Sequence, residues 1–233
     1  ISATLAMAAK ARELKNQGID IIGLSLGEPD FNTPEFIKEA AVQAVNDNWN
    51  SYSPVDGYAD LKEAICKKFK RDNKLDYDPS QIVVSTGAKQ SIANVCMVLL
   101  DPGDEVLLPA PYWVSYSAIA TLAEAKSIII PSSIETDFKI IPEQLEAAIT
   151  PKTKLIMFNS PNNPSGTIYT EDEYRALGKV LEIYPDIYIL SDEIYEHINY
   201  GTPHFSIAAI PELYDRTITV NGVAKAFAMT GWR

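Results

Sequence analysis

The chain has 233 residues, 46% hydrophobic and 22% charged, ordinary values for a globular protein able to build one large α/β core or two small domains. A formal net charge of −11 argues against binding a phosphate backbone, which needs clustered Lys and Arg. Cys66 and Cys96 are too few for a disulfide framework, and His197 and His204 too few for a zinc or di-metal site.

No run approaches the ~18–20 uninterrupted apolar residues of a membrane span. No basic segment leads into an apolar one at the start, so the cytoplasm is the expected compartment. The sequence opens at Ile1 without a methionine and stops at Trp232-Arg233, and both ends are expected to be cut.

In chain order, residues 3–17 are alanine-rich with helical period, and Gly18 is a natural stop. IDIIGLSLG reads as a short strand ending at Gly27. Pro34 suits a first helical turn and Glu35–Asn46 continues the helix. Asp60–Arg71 is a second amphipathic helix, entered through the turn at residues 53–57. From residue 81 the pattern is regular. Strands are expected at Gln81–Ser85, Glu105–Pro109, Ser127–Ile130, Lys154–Phe158, Ile187–Leu190 and Thr217–Val220. Helices are expected at Ala88–Leu100, Ser115–Ala123, Pro142–Ile149 and Glu171–Ile183. Short apolar strands alternating with helices indicate a largely parallel sheet covered on both faces. Five motifs fall at strand ends or helix starts, where open α/β sheets place ligands.

The most informative is NGVAKAFAMTGWR, residues 221–233. Small neighbours around Lys225 leave room for a cofactor and desolvate the amine, which lowers its pKa and makes it a nucleophile toward an aldehyde; an exposed loop lysine is the plain alternative. In Ser191-Asp192-Glu193-Ile194-Tyr195, an aspartate at a strand's carboxyl end could keep a ring nitrogen protonated, so that the ring accepts electrons from a carbanion. Tyr195 could donate to a ring oxygen. A helix cap with a packed tyrosine explains the same residues. In Asn159-Ser160-Pro161-Asn162-Asn163-Pro164-Ser165-Gly166, two prolines fix a turn that holds side-chain amides, and Asn163 could bond a ring oxygen; a plain turn accounts for the prolines but not for the asparagine pair. Thr86-Gly87-Ala88-Lys89-Gln90 opens a helix, where free N–H groups and the dipole suit a phosphate monoester, although many helices begin this way. Trp113, in Pro111-Tyr112-Trp113, could stack on a flat ring or simply pack in the core.

Taken in order, GEPDFNTP, YSPVDG, TGAKQ, PYW, SPNNPSG, SDEIY and NGVAKAFAMTGWR resemble the class I aminotransferases among the fold-type I pyridoxal-phosphate (PLP) enzymes, nearest to the prokaryotic aspartate aminotransferase type. The likeness runs from Ser2 to Arg233. It implies a three-layer α/β large domain at residues 31–233, with residues 1–30 giving an N-terminal helix and part of a small domain whose C-terminal portion is absent. It implies that Lys225 holds PLP as a Schiff base and shuttles the substrate α-proton, and that Asp192 pairs with the pyridine nitrogen. Asn163 and Tyr195 then bond the ring oxygen and Trp113 stacks on the ring. Ala88 and Lys89 offer N–H groups to the phosphate, Arg233 clamps it with a fork of donors, and Tyr52 reaches it from the partner of a homodimer. Gly27 lies near the substrate carboxylate, joined around the substrate by Trp113 and Asn163. Lys89 helps receive a distal carboxylate, and Ser2 and Thr4 border that pocket. Many relatives carry serine where this chain has Ala224, a change the nearest subgroup tolerates. The family chain also continues beyond this point and supplies an arginine for the substrate α-carboxylate.

The expected activity is amino transfer from an L-amino acid, aspartate or glutamate first, to a 2-oxo acid with ping-pong kinetics. Aromatic or kynurenine-type transamination and β-elimination on cysteine conjugates use the same motifs. A non-catalytic PLP-binding fragment is the non-enzyme alternative. A Rossmann-type nucleotide domain is disfavoured because no G-x-G-x-x-G turn is present.

Overall fold

The computed structural model describes residues 3–22 and 27–232. Helix α1 (Ala3–Asn16) ends at Gly18, which takes a φ of 80°, the left-handed geometry that favours glycine. Helices α2 (Glu35–Asn46) and α3 (Ala59–Lys68) follow, then α4 (Ala88–Leu99), strand β1 (Glu105–Pro109), α5 (Ser115–Leu122) and β2 (Lys126–Ile130). Helix α6 (Pro142–Ala148), β3 (Thr153–Asn159), α7 (Glu171–Ile183), β4 (Tyr188–Asp192), β5 (Thr217–Val220) and the single-turn α8 (Val223–Ala226) complete the described elements.

The five strands form one parallel sheet in the order β2-β1-β3-β4-β5. Alternating side chains leave its two faces. Leu107, Ile156, Phe158 and Ile189 pack on α6 and α7, while Val106, Leu108, Leu155, Met157, Leu190 and Val220 pack on α4 and α5. Burying each such side chain stabilises the fold by roughly 1.5–3 kcal/mol. Strands covered on both sides read as continuous apolar runs, which makes them legible in the sequence. The result is the expected α/β/α sandwich. Helix α7 shows why its boundary is readable: Thr170 accepts from the Glu173 N–H and Glu173 accepts in return from the Thr170 N–H, a reciprocal cap.

Two expected strands differ. Residues 82–85 are extended but join no ladder among the described residues; Ile82 is buried in a satellite cluster with Phe69, Leu75 and Ala208, and the Val84 N–H bonds the Asp56 carbonyl instead. The described sheet ends at β5, so this segment's alternation serves packing rather than pairing. Residues 19–22 form no strand, and 23–26 lie outside the described residues. Among the described residues no helix is long and apolar enough to cross a membrane.

Candidate active site

The order β2-β1-β3 means that the chain leaves β1 for one side of the sheet and then crosses to build the other side from β3. A crevice opens at such a reversal, outside the carboxyl ends of the strands. The segments that follow β1, β3, β4 and β5 converge there. Asn162, after β3, donates from Nδ2 to the Pro111 carbonyl at 3.2 Å after β1. Asn159 and Asp192 are register partners at the ends of β3 and β4; Asn159 Nδ2 donates to the Asp192 carbonyl at 2.9 Å, and the Ser160 N–H bonds the same oxygen at 3.2 Å.

Asp192 is 3% exposed. Its Oδ2 accepts from the Tyr116 hydroxyl at 2.6 Å and its Oδ1 from the Ile194 N–H at 3.2 Å. Burial pushes its carboxyl up to about 6; the two hydrogen bonds oppose that rise and the neighbouring Glu193 adds to it. A cation set against this carboxyl would relieve the cost of burying its charge.

Three residues on, half-buried Tyr195 receives a hydrogen bond from Asn163 Nδ2 at 3.4 Å. Desolvation raises the Tyr195 phenol, the Asn163 bond lowers it and the Asp192 charge raises it again. The Asn163 backbone is fixed by its N–H bond to Asn159 Oδ1 at 2.7 Å. Lys225, on α8 directly after β5, brings Nζ to 5.9 Å from the centre of the Tyr195 ring. That amine also donates to the Gly27 carbonyl at 2.6 Å. Lys225, Tyr195, Asn163, Gly27 and Asp192 are therefore gathered at one end of the sheet.

Trp113 and Tyr116 make a T-shaped contact, with ring centres 5.5 Å apart and planes at 90°. Lys89 Nζ lies 4.8 Å from the centre of the Trp113 ring, which brings the start of α4 into the cluster. Gly87 precedes α4 with a φ of 88°, and the N–H groups of Ala88 and Lys89 come before any intrahelical acceptor. Tyr52 is fully exposed. Ser2, the side chain of Thr4 and Arg233 lie outside the described residues.

Sequence reasoning missed Tyr116, whose only signal was its place one helical turn beyond Trp113; its partner is 76 positions away. It also missed the buried polar network beneath Asp192. Glu193 Oε1 accepts from Ser191 and Ser206 at 2.8 and 2.6 Å, and Oε2 lies 2.9 Å from His204 Nε2. Glu196 is held by Lys68 and by Asn73, which donates at 2.7 Å.

The family described as "Aminotransferase class I and II" matches residues 19–233. The chain is 53% identical to the aspartate/prephenate aminotransferase of Nitrosomonas europaea and 52% identical to the aspartate aminotransferase of Bacillus subtilis, covering all of itself and 59% of each relative. It superposes on an aspartate aminotransferase of Thermus thermophilus, solved with maleate, at a TM-score of 0.96 and 45% identity, covering all of itself and 60% of that chain. The chain thus spans about three-fifths of the length of these relatives. With its sheet, its motifs and its sequence all in agreement with them, it belongs to the class I and II aminotransferase family.

Proposed function

We propose that the intact protein is a PLP-dependent transaminase that moves an amino group from an L-amino acid, aspartate or glutamate first, to a 2-oxo acid. The observation that carries this is the meeting of a buried carboxylate, Asp192, with Tyr195, Asn163 and Lys225 at the carboxyl ends of β3, β4 and β5. When bound, PLP supplies an electron sink for the electron pair left at the substrate α-carbon when its proton departs.

The side chains divide the remaining work. Asp192 holds a proton on the ring nitrogen, since a buried carboxylate is stabilised by a cation beside it. Asn163 and Tyr195, already bonded to each other, would offer N–H and O–H donors to the ring oxygen. Trp113 offers a flat face braced by Tyr116. Ala88 and Lys89 present N–H groups, and Arg233 a guanidinium, to the phosphate. Lys225 would hold the cofactor through its primary amine, and the same amine would take the substrate α-proton and return it as general base and acid. Residues 31–233 would form the PLP domain, with residues 1–30 belonging to a small domain. Exposed Tyr52 and the uncovered apolar side chains of α2, among them Phe36 and Val45, support a homodimer in which Tyr52 reaches the partner's phosphate.

An acidic donor is favoured because Lys89 puts a cation beside Trp113, within reach of a substrate lying near that ring. The Thermus enzyme was solved with maleate, a dicarboxylate. The Nitrosomonas relative is an aspartate/prephenate aminotransferase, so prephenate belongs in any panel of acceptors.

The test is to load the intact protein with PLP, reduce with borohydride and map the modified peptide. A phosphopyridoxyl group on Lys225 supports the reading; one on another lysine, or none, overturns it. For the donor, steady-state comparison of aspartate, phenylalanine and alanine is expected to rank aspartate first, and faster turnover of an apolar donor refutes the preference.

A further inference from the structure

Tyr116 lies on α5, is 1% exposed and belongs to the cluster that joins α4 and α5 to the sheet. A buried phenol needs a partner for its O–H, and this one donates at 2.6 Å to Asp192 Oδ2. The other Asp192 oxygen accepts a longer bond, 3.2 Å, from the Ile194 N–H. The rings of Tyr116 and Trp113 meet at 90° with centres 5.5 Å apart. One side chain thus touches both the carboxyl and the flat ring that would hold a planar cofactor.

We propose that Tyr116 is a positioning residue that fixes the rotamer and the charge of Asp192 and aligns it with Trp113; this role rests on the reading of Asp192 given under Proposed function. The physical case is one of competing effects. Complete burial drives a carboxyl toward its neutral form, and a neutral carboxyl cannot keep a heterocyclic nitrogen protonated. A short O–H donor to one carboxylate oxygen favours the charged form and, unlike a backbone donor at longer range, holds the group against rotation about χ2. The ionisable groups facing Asp192 are Tyr116 from α5 and Glu193 and Tyr195 from the segment after β4. Of these, Tyr116 is the one that donates to the Asp192 carboxyl. The aromatic contact with Trp113 restrains the phenol in turn, so its hydroxyl cannot swing away without disturbing that ring.

The experiment measures Asp192 itself rather than turnover. In the cofactor-free intact protein, the carboxyl of Asp192 is titrated by infrared difference spectroscopy, with Asp192→Asn identifying its band. Tyr116→Phe is expected to raise the midpoint by about one to two pH units, the effect of a lost hydrogen bond to a charged group. PLP affinity should fall about tenfold or more in parallel. Tyr174→Phe, an equally buried hydroxyl in the opposite core cluster, should move neither. Should Tyr116→Phe fail to fold, 3-fluorotyrosine at position 116 keeps the shape and strengthens the donor, and the Asp192 midpoint should fall. If PLP loads on Lys225 of the parent protein but the Asp192 midpoint is unmoved in either variant, the Tyr116 role is overturned and the transaminase reading stands. If the parent places no PLP on Lys225, the underlying reading falls, and the Tyr116 role with it.

Discussion

Lys225 Nζ donates to the Gly27 carbonyl at 2.6 Å, joining residues 198 positions apart. Two further bonds run alongside: Thr33 Oγ1 to the Ala228 carbonyl at 2.7 Å and Thr230 Oγ1 to Glu28 Oε1 at 3.1 Å. The segment around Lys225 is thereby held to the GEPDFNTP stretch. Lys225→Arg keeps a charge but not a primary amine. The expected outcome is a folded protein by circular dichroism, no borohydride-trapped cofactor, and transamination lowered by about 10²–10⁴-fold or more. The Thr33 and Thr230 bonds preserve the fold around the change.

Under the proposed function Asp192 makes opposite demands on stability and on cofactor binding. Its folded-state value is raised from 3.8 to about 6, so the folded protein holds the proton more tightly than the unfolded chain. Between those values stability falls as pH rises, and above about pH 6 the ionised group costs roughly 3 kcal/mol. Asp192→Asn removes that cost while its amide oxygen still accepts from Tyr116. Urea unfolding at pH 7.5 without cofactor is expected to show a variant more stable by about 1–3 kcal/mol, an advantage that shrinks toward pH 4. PLP affinity should move the other way and weaken. A variant less stable than the parent at neutral pH contradicts this account.

Asn163 Nδ2 donates to the Tyr195 hydroxyl at 3.4 Å, and under the proposed function both groups would turn to the ring oxygen of PLP. Tyr195→Phe removes one of them. Loss of a hydrogen bond to a charged oxygen predicts PLP dissociation faster by about 10- to 100-fold, read by stopped-flow exchange, with thermal stability little changed because the phenol is only half-buried.

The turn at residues 53–57 has a steric basis that requires glycine. Gly57 has a φ of 104°, and a Cβ added there would stand 2.5 Å from Val84 Cγ2 and 2.8 Å from Val84 Cβ. Gly57→Ala is expected to cost about 1–3 kcal/mol by strain and overlap, and chemical denaturation should register it. Tyr52, on the same loop, makes this a test of the proposed homodimer as well. A shifted turn should weaken association in analytical ultracentrifugation.

How much of this was legible depends on range. The sandwich was readable because strands covered on both faces keep their apolar runs, as in Leu155–Phe158, and because caps such as Thr170–Glu173 are local. Lys225, Asp192, Asn163 and Tyr195 could be singled out as candidates because each stands in a motif at a strand's carboxyl end, and the structure brings the four together. Tyr116 could not be, since its hydrogen bond joins it to a residue 76 positions away. The segment at 82–85 reads as a strand because its alternation is real; pairing needs a neighbour that a local pattern cannot reveal. The network under Asp192 escaped for the same reason, its members coming from positions 68, 73, 193, 196 and 204.

That network yields the last prediction. Glu196 is 4% exposed at its side chain and paired with Lys68, which is 23% exposed. Asn73 donates to its other oxygen at 2.7 Å, and His197 Nε2 lies 3.0 Å away. Burial alone would push the Glu196 carboxyl up, but Lys68 and Asn73 outweigh it and leave the group below its ordinary 4.5. A depressed carboxyl contributes stability above its unfolded value, and that contribution is lost as pH falls through the lower folded value. Lys68→Met removes the cation and leaves the burial. The expected cost at pH 7 is about 2 kcal/mol, less than the about 3–5 kcal/mol of a fully enclosed pair because Asn73 and His197 still reach Glu196. The sign with pH then reverses for the variant: with its cation gone, burial raises Glu196, and the deficit relative to the parent should narrow as pH drops from 7 toward 4. Urea melts at the two pH values decide it; a deficit that stays constant or widens in acid would show that Lys68 acts through packing of its alkyl chain rather than through its charge.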